Sequence, residues 1–378
     1  MIEAETVVSS GTIKITCSRE ELTQKLGIVA RGISTRTAVQ ILGGVLLDAA
    51  AGRLMLAATD MELSLRASLE ARVEGEGAVV VPGRLLVELT KLLPDAEVSI
   101  EQRADEGVIH IRSGSFESRL NTYTAEDFPR LPDVEALERH TVDRDALLET
   151  IARVSRSASR DESRPVLTGI LVRFEPRKLV MAATDSYRLS VKETAMEGTV
   201  PELEAIVPAR ALAELARIGQ GADQIELGVQ ENQVVFGIDG VWLTTRRIDG
   251  QFPNYRQLIP ESFEHEVPID TREALDVVRR IAVMAQRNSP LRLRFAEGEL
   301  TVSARTQDVG EAEESLPVSF TGEPLEIGFN AEFLRDGIDS VTGDTLRFRL
   351  ISPLRPCVLQ AEGSEDFLYL IMPIRLAG

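Results

Sequence analysis

Apolar residues recur along this chain with two alternating periods. From Ser18 the spacing Leu22, Leu26, Val29 and Ile33 forms one helical stripe, opened by Ser18 and Glu21 as a capping box. The period then shortens to that of strands through GGVLLDA, LMLAAT, ELSLRAS and GEGAVVV. A second helix is predicted after Pro82 through Leu85, Leu86, Leu89 and Leu92, and VSIEQ, GVIHIRS and FESRLNTY close the run. The same order starts again at Asp143, with Leu147, Ile151 and Val154 on the inner side of a helix. GILVRF, KLVMAAT and RLSVKE follow, then a helix after Pro208 carrying Leu212 and Leu215, then IELGV, QVVFGI and VWLTTRRI.

The order is therefore a repeat. LMLAATDMELSL around Leu54 returns as LVMAATDSYRLSV around Leu179, and helix starts fall at Ser18, Asp143 and Thr271. A period of roughly 125 residues exceeds any solenoid repeat and matches a whole domain. Three domains are expected, over 1–136 (with residues 1–11 as a flexible extension), 137–262 and 263–378. Pro82, Pro208 and Asn330 hold matching places at the second helix of each. Pro-containing joins follow Phe128 and Phe252. The fold class is α+β, each domain two helices packed on antiparallel sheets.

Composition narrows the chemistry. No apolar run approaches the roughly 20 residues needed to span a bilayer, and the first residues lack a basic then apolar leader. Cys17 and Cys357 have no neighbouring partner in sequence, which speaks for free buried thiols in a reducing cytoplasm. His110, His140 and His265 share no metal-ligand spacing, and no phosphate loop, nucleophile elbow or dinucleotide motif is present. Asp60 and Asp185 sit in separate repeats, and an aspartate after a strand usually bonds its own turn. No catalytic residue, metal or cofactor is expected. The net charge of -18 argues against nucleic acid only if it is spread evenly.

Ala-Thr-Asp-Ser-Tyr-Arg-Leu at 183–189, Asp-Gly-Gln-Phe-Pro-Asn-Tyr at 249–255 and Tyr-Leu-Ile-Met-Pro-Ile-Arg-Leu at 369–376 carry a family likeness. With their order and spacing, the chain resembles the bacterial DNA polymerase III beta subunit, the beta sliding clamp, over about residues 12 to 376. The resemblance implies a non-catalytic processivity factor that forms a head-to-tail homodimeric ring around duplex DNA. Its implied partners are the polymerase III alpha subunit, the clamp loader, and other clamp-binding polymerases and repair proteins. A regulatory or antibiotic-tolerant clamp paralogue would share the whole fold. Departures from the family are Ser186, where members often have Gly, and the terminal Ala377-Gly378.

Charge along the helices is consistent with such a ring. Ser18 to Arg36 holds four basic against two acidic residues, Asp143 to Arg160 four against three, and Thr271 to Arg287 four against two. Arg31, Arg36, Lys91, Arg153, Arg156, Arg160, Arg217, Arg280 and Arg287 are the expected DNA contacts. They would meet phosphates without reading bases. Six helices at about 9 Å spacing leave a hole of only about 7 Å, whereas twelve leave roughly 24 Å, enough for a duplex. A dimer is favoured.

Two departures from the repeat mark further surfaces. The first helix of the third copy carries Ile281, Val283 and Met284 off its core stripe, which suggests a subunit seam completed by strand residues such as Leu120 of the first copy. The resemblance also implies a peptide groove between the second and third domains. Carried over by position, it comprises Leu167, Thr184, Tyr187, Arg188, Leu189, Pro253, Leu258, Asn330, Phe333, Leu354, Met372, Pro373, Ile374 and Arg375. The C-terminal apolar run reads as a strand that Pro373 makes an edge or ends.

Overall fold

The computed structural model describes residues 12–34, 39–103, 106–132, 134, 137–197, 201–285, 289–306 and 310–376. Among the described residues the second copy carries a short helix, Pro165–Thr168, and each of the three copies supplies two long ones. The long helices are Arg19–Val29 and Gly83–Leu92, then Arg144–Val154 and Ala209–Ile218, then Thr271–Ala282 and Ala331–Ser340. Ser18 caps the first through the Glu21 N–H, Asp270 caps the fifth through that of Glu273, and Asn330 caps the sixth through that of Phe333. The third repeat thus begins one residue earlier than its Thr271 suggests, because Asp270, not Thr271, holds the capping place of Ser18.

Among the described residues all strand pairs are antiparallel, and contacts gather the chain into two units. The first unit comprises 1–144 and 214–247. Its five-stranded sheet runs Arg72–Gly75, Lys14–Ser18, Glu97–Arg103, Val108–Ser113, Phe116–Asn121. Its eight-stranded sheet runs Arg139–Asp143, Gln224–Val229, Gln233–Ile238, Val241–Arg246, Leu63–Glu70, Arg53–Thr59, Gly44–Ala50, Gly77–Pro82. The second unit comprises 145–213 and 248–378. Here the eight-stranded sheet runs Glu204–Pro208, Gly169–Glu175, Lys178–Thr184, Arg188–Ala195, Phe367–Ile371, Cys357–Ala361, Thr345–Leu350, His265–Asp270. A four-stranded sheet runs Gly310–Pro317, Glu299–Thr306, Leu291–Ala296, Leu325–Phe329.

The middle repeat is shared between the units because each long sheet joins two repeats. Val241–Arg246 of the second copy pairs with Leu63–Glu70 of the first, from Thr245↔Leu63 to Val241↔Ala67. Phe367–Ile371 of the third pairs with Arg188–Ala195 of the second, from Ile371↔Arg188 to Phe367↔Lys192. The C-terminal strand is therefore central in its sheet, and Pro373 lies just past its end. Each unit is built around one such junction.

Cores follow the predicted stripes. Leu22, Leu26 and Val29 are fully buried against Leu54, Leu56 and Ala58, each such side chain contributing about 1.5–3 kcal/mol by burial. Leu147, Ile151, Val154, Leu212 and Leu215 are buried as expected. The second helix of the first copy differs. It buries Gly83, Leu86 and Thr90, leaving Leu85 half-exposed and Leu92 82% exposed. Leu92 ends its helix, and Leu93 turns inward in its place.

Candidate partner site and nucleic-acid face

The Thr-Asp motif builds one turn twice. In the second unit Thr184 Oγ1 donates to the Arg188 carbonyl (2.7 Å) and accepts from the Ser186 N–H (3.2 Å). Asp185 Oδ1 accepts from the N–H groups of Tyr187 (2.9 Å) and Arg188 (3.0 Å). In the first unit Thr59 and Asp60 do the same for Leu63, Met61 and Glu62. Both aspartates serve the turn, as Asx-turn chemistry predicts. Ser186 has φ +80° and Met61 φ +77°, a left-handed conformation that explains why glycine suits this place.

From this turn Arg188 runs inward. Its side chain is 8% exposed, with Nε donating to Asp185 (3.0 Å) and Nη1 to Asp336 (2.8 Å). Burial works against its charge, but Tyr369, Asp336 and Asp185 outweigh that and hold its pKa above the ordinary arginine value. The Tyr369 hydroxyl donates to the Phe333 carbonyl (2.7 Å), and the Arg188 guanidinium lies 4.2 Å from the Phe333 ring centre. Burial raises the Tyr369 pKa, so the phenol stays protonated as that donor. Phe333 in turn stacks against Tyr187 at 6.5 Å. A buried ion network thus fixes two aromatic rings, and one of them, Tyr187, is 61% exposed.

The expected groove residues divide by burial. Thr184, Arg188 and Leu189 are buried, as is Leu167, so they support the surface without forming it. Leu189 packs with Leu370 and Tyr255 on the outer face of the sheet. Tyr187, Leu258, Leu354, Met372 and Ile374 are all exposed, half of the exposed large apolar side chains among the described residues. Pro253 and Arg375 are exposed too, Pro373 and Phe333 half-buried, and Asn330 caps the Phe333 helix. The Met372 N–H donates to the Tyr187 carbonyl (2.8 Å), and Ile374 bridges to Gly328. The tail is thereby tied beside Tyr187, while Leu258 and Leu354 stand on separate turns.

The helical cations are exposed but mostly paired. Arg31 binds Glu214 (3.1 Å), Arg217 binds Glu214 (2.9 Å), Arg156 binds Asp339, and Arg280 holds Glu314 through two nitrogens. Lys91 and Arg160 are exposed. Arg153 departs from expectation. It is packed inward over the Phe367 ring and paired with Glu149, because its helix position faces the central C-terminal strand of the sheet. Arg36 and Arg287 lie outside the described residues, as do residues 1–11. Arg84 is an exposed helical cation that the expected set omitted.

Of the expected seam, Val283 is 77% exposed, but Ile281 and Leu120 are core residues and Met284 packs partly on the core. Ile281 extends the stripe of Val277 and Val278, and Leu120 is on the inward side of an alternating strand. Cys17 and Cys357 are buried free thiols, and burial pushes the Cys17 pKa up to about 12. Among the described residues no helix is long and apolar enough to cross a membrane.

Comparison with known proteins decides what this arrangement is. The chain matches the N-terminal domain of the DNA polymerase III beta subunit over 13–132, its central domain over 141–254 and its C-terminal domain over 256–375. The chain belongs to the DNA polymerase III beta subunit family, the beta sliding clamps. The beta sliding clamp of Synechococcus elongatus is 36% identical over 375 residues, covering 96% of this chain and all of that one. The DNA polymerase sliding clamp of Bacillus subtilis superposes with a TM-score of 0.92 at 26% identity, over 97% of this chain and all of that one. The DNA polymerase III subunit beta of Bartonella birtlesii, solved bound to griselimycin, gives 0.90 at 29% identity, over 97% and 100%. The chain is thus a DNA sliding clamp, a processivity factor of replication that performs no catalysis, on a three-domain clamp fold.

Proposed function

We propose that two copies close head to tail into a cytoplasmic ring around duplex DNA, with domain boundaries near 136/137 and 262/263. The observation that carries this is a pair of strands. Two junctions within the chain join a strand of one repeat to a strand of the next. The strands in the same places without such a partner are Phe116–Asn121 and Gly310–Pro317, each at the edge of its own sheet among the described residues. Pairing them between two copies makes the third junction, and an exposed sheet edge is a template for such pairing. Val283 supports the same reading. Arg31 and Arg156 each join the turn just after the first helix of one repeat to a carboxylate on the second helix of the next. Val283 holds their place in the third repeat and is apolar and exposed.

Exposed cations on the helices, chiefly Lys91, Arg217 and Arg280, with Arg160 in the segment after a first helix, contact DNA phosphates. Paired as many of them are, they bind weakly and without sequence preference, near ~10⁻⁴ to 10⁻⁶ M. Residence on DNA then comes from topology. Tyr187, Met372 and Ile374, with Leu258 and Leu354, receive apolar peptide segments of the polymerase III alpha subunit, the clamp loader and other clamp-binding polymerases and repair proteins. The griselimycin-bound relative supports a ligand-binding site on this fold.

Native mass measurement tests the ring: a dimer is expected, and Val283→Asp should yield folded monomers. A monomeric parent chain would end the proposal. Loaded protein should stay on nicked circular DNA and run off once the DNA is linearised, whereas equal retention would contradict encirclement.

A further inference from the structure

The first unit contains a cleft of about 250 Å³ whose lining includes Thr59, Met61, Ser64, Arg130, Gln233 and Arg246. Register places it on one face of the eight-stranded sheet. Leu54, Leu56 and Ala58 enter the core beneath the first helix, whereas Met55 and Ala57 pack on the other face with Phe128 and Leu131. Thr59 shares the parity of Met55 and Ala57 and pairs with Ser64. Ser64 pairs with Thr244, and Thr244 with Val235. Two residues further along each strand, Arg246 pairs with Gln233 on that same face. The cleft therefore opens on the side away from the helices, under the segment 129–132.

Its chemistry is one-sided. With the Thr59 hydroxyl donating to the Leu63 carbonyl, the Ser64 hydroxyl donates to Thr59 Oγ1 at 2.8 Å. Arg246 is exposed with no ion pair among the described residues, while Arg130, also in the lining, already has a partner. The nearby Asp60 carboxylate is engaged by the turn amides of Glu62 and Leu63. Gln233 Oε1 is a buried acceptor without a donor, a state that costs about 1–3 kcal/mol until a donor arrives. A cation for an anion beside an acceptor awaiting an N–H describes a peptide carrying a carboxylate. The volume suits one or two side chains, being below the ~300–1,000 Å³ of sites for drug-sized ligands.

We propose that this cleft is a second docking site, for a short acidic peptide segment of a protein partner. It is independent of the apolar peptide site in the second unit. Facing away from the helices, it stays accessible while the helices meet DNA.

The test uses the full-length protein labelled with ¹³C at the methionine methyl groups, with Met61 reporting on the cleft and Met372 on the apolar site. The probe is acetyl-tetraglutamate amide, and acetyl-tetraglutamine amide is the neutral control. The Met61 signal should move saturably with the acidic probe, with Kd about 1 mM or tighter, and not with the control. Arg246→Gln should weaken that binding about tenfold, as loss of a charge-assisted hydrogen bond does, while leaving the Met372 signal of the free protein unchanged. Gln233→Leu should weaken it too. An unmoved Met61 signal, equal movement with the neutral peptide, or undiminished binding in Arg246→Gln would overturn the proposal. So would a Met61 shift produced by a short DNA duplex, which would make the cleft a nucleic-acid site.

Discussion

Each of the two repeat junctions in this chain uses the same backbone for different chemistry. In the first unit the turn Thr59-Asp60-Met61-Glu62 leads to Leu63, paired with Thr245, and the Arg246 N–H donates to the Glu62 carbonyl. In the second unit Thr184-Asp185-Ser186-Tyr187 leads to Arg188, paired with Ile371, and the Met372 N–H donates to the Tyr187 carbonyl. Hydrogen bonds and register agree at every step, while Leu63 becomes Arg188, Glu62 becomes Tyr187 and Arg246 becomes Met372. The Thr-Asp pair makes this divergence possible. It fixes the turn through its own side chains, so neighbouring residues can change without altering the strand pairing.

Carboxylates complete the contrast. Glu214 and Asp336 hold the same place in helices Ala209–Ile218 and Ala331–Ser340. At the first junction Arg31 takes Glu214. At the second, Arg188 takes Asp336 and Arg156 moves about one turn along to Asp339. One extra arginine has thus been accommodated by adding one carboxylate. Its reward is a rigid support for Phe333 and Tyr187.

Removing that arginine should have the largest effect. Arg188→Leu leaves Asp185 and Asp336 without their shared cation, and stranding a buried partner typically costs about 3–5 kcal/mol. A chain of several domains need not unfold in one step, so the measurement is amide exchange over strand Arg188–Ala195, read by mass spectrometry. Protection lost there but kept over Leu63–Glu70 is the expected result, whereas unchanged protection would show that the network contributes little. Leu63→Ala is the counterpart in the first unit. Leu63 is buried, and truncation of such a leucine costs about 2–5 kcal/mol. It should loosen Leu63–Glu70 alone. If it loosens Arg188–Ala195 equally, the two junctions are not energetically separate.

Tyr187→Ala separates support from surface. The ring is exposed, so stability should change by less than about 0.5 kcal/mol. Binding of a labelled peptide from the polymerase III alpha subunit should nevertheless weaken about tenfold or more, as loss of an aromatic anchor commonly does. The equivalent Glu62→Ala should leave that binding alone. Equal losses in both variants would place the peptide elsewhere.

Most of the architecture was legible because it is written three times. The stripe Leu22, Leu26, Val29 and the strands around Leu54 and Leu179 needed only periodicity, and Asp60 and Asp185 needed only turn chemistry. Side-chain direction near helix ends and sheet edges was harder to read. Ile281 and Leu120 look surplus in a linear pattern, yet both are core residues, since a helix stripe about 100° wide and an alternating edge strand each hold more apolar places than a simple count suggests. Arg153 shows the same limit for charge: a cation on a helix is exposed or packed according to the neighbouring sheet, which no local spacing reveals. Within the expected groove, a sequence carry-over could not separate buried supports such as Arg188 from exposed walls such as Tyr187. The cleft at Arg246 left no motif, because its residues meet only through strand register.

The smallest expected effect bears on the turn itself. Met61 and Ser186 both adopt positive φ, which costs a residue with a side chain about 1–2 kcal/mol relative to glycine. Glycine at either place should relieve that strain. Ser186→Gly also removes the 3.0 Å hydrogen bond that Arg164 donates to Ser186 Oγ, and an exposed bond of that kind is worth about 0.5–1.5 kcal/mol. The gain from Ser186→Gly should therefore be close to zero, and that from Met61→Gly about 1 kcal/mol, read as protection of the strands following each turn. Equal gains would mean that the Arg164 contact is idle. A loss at Met61 would mean that its side chain, not the turn geometry, holds the first junction together.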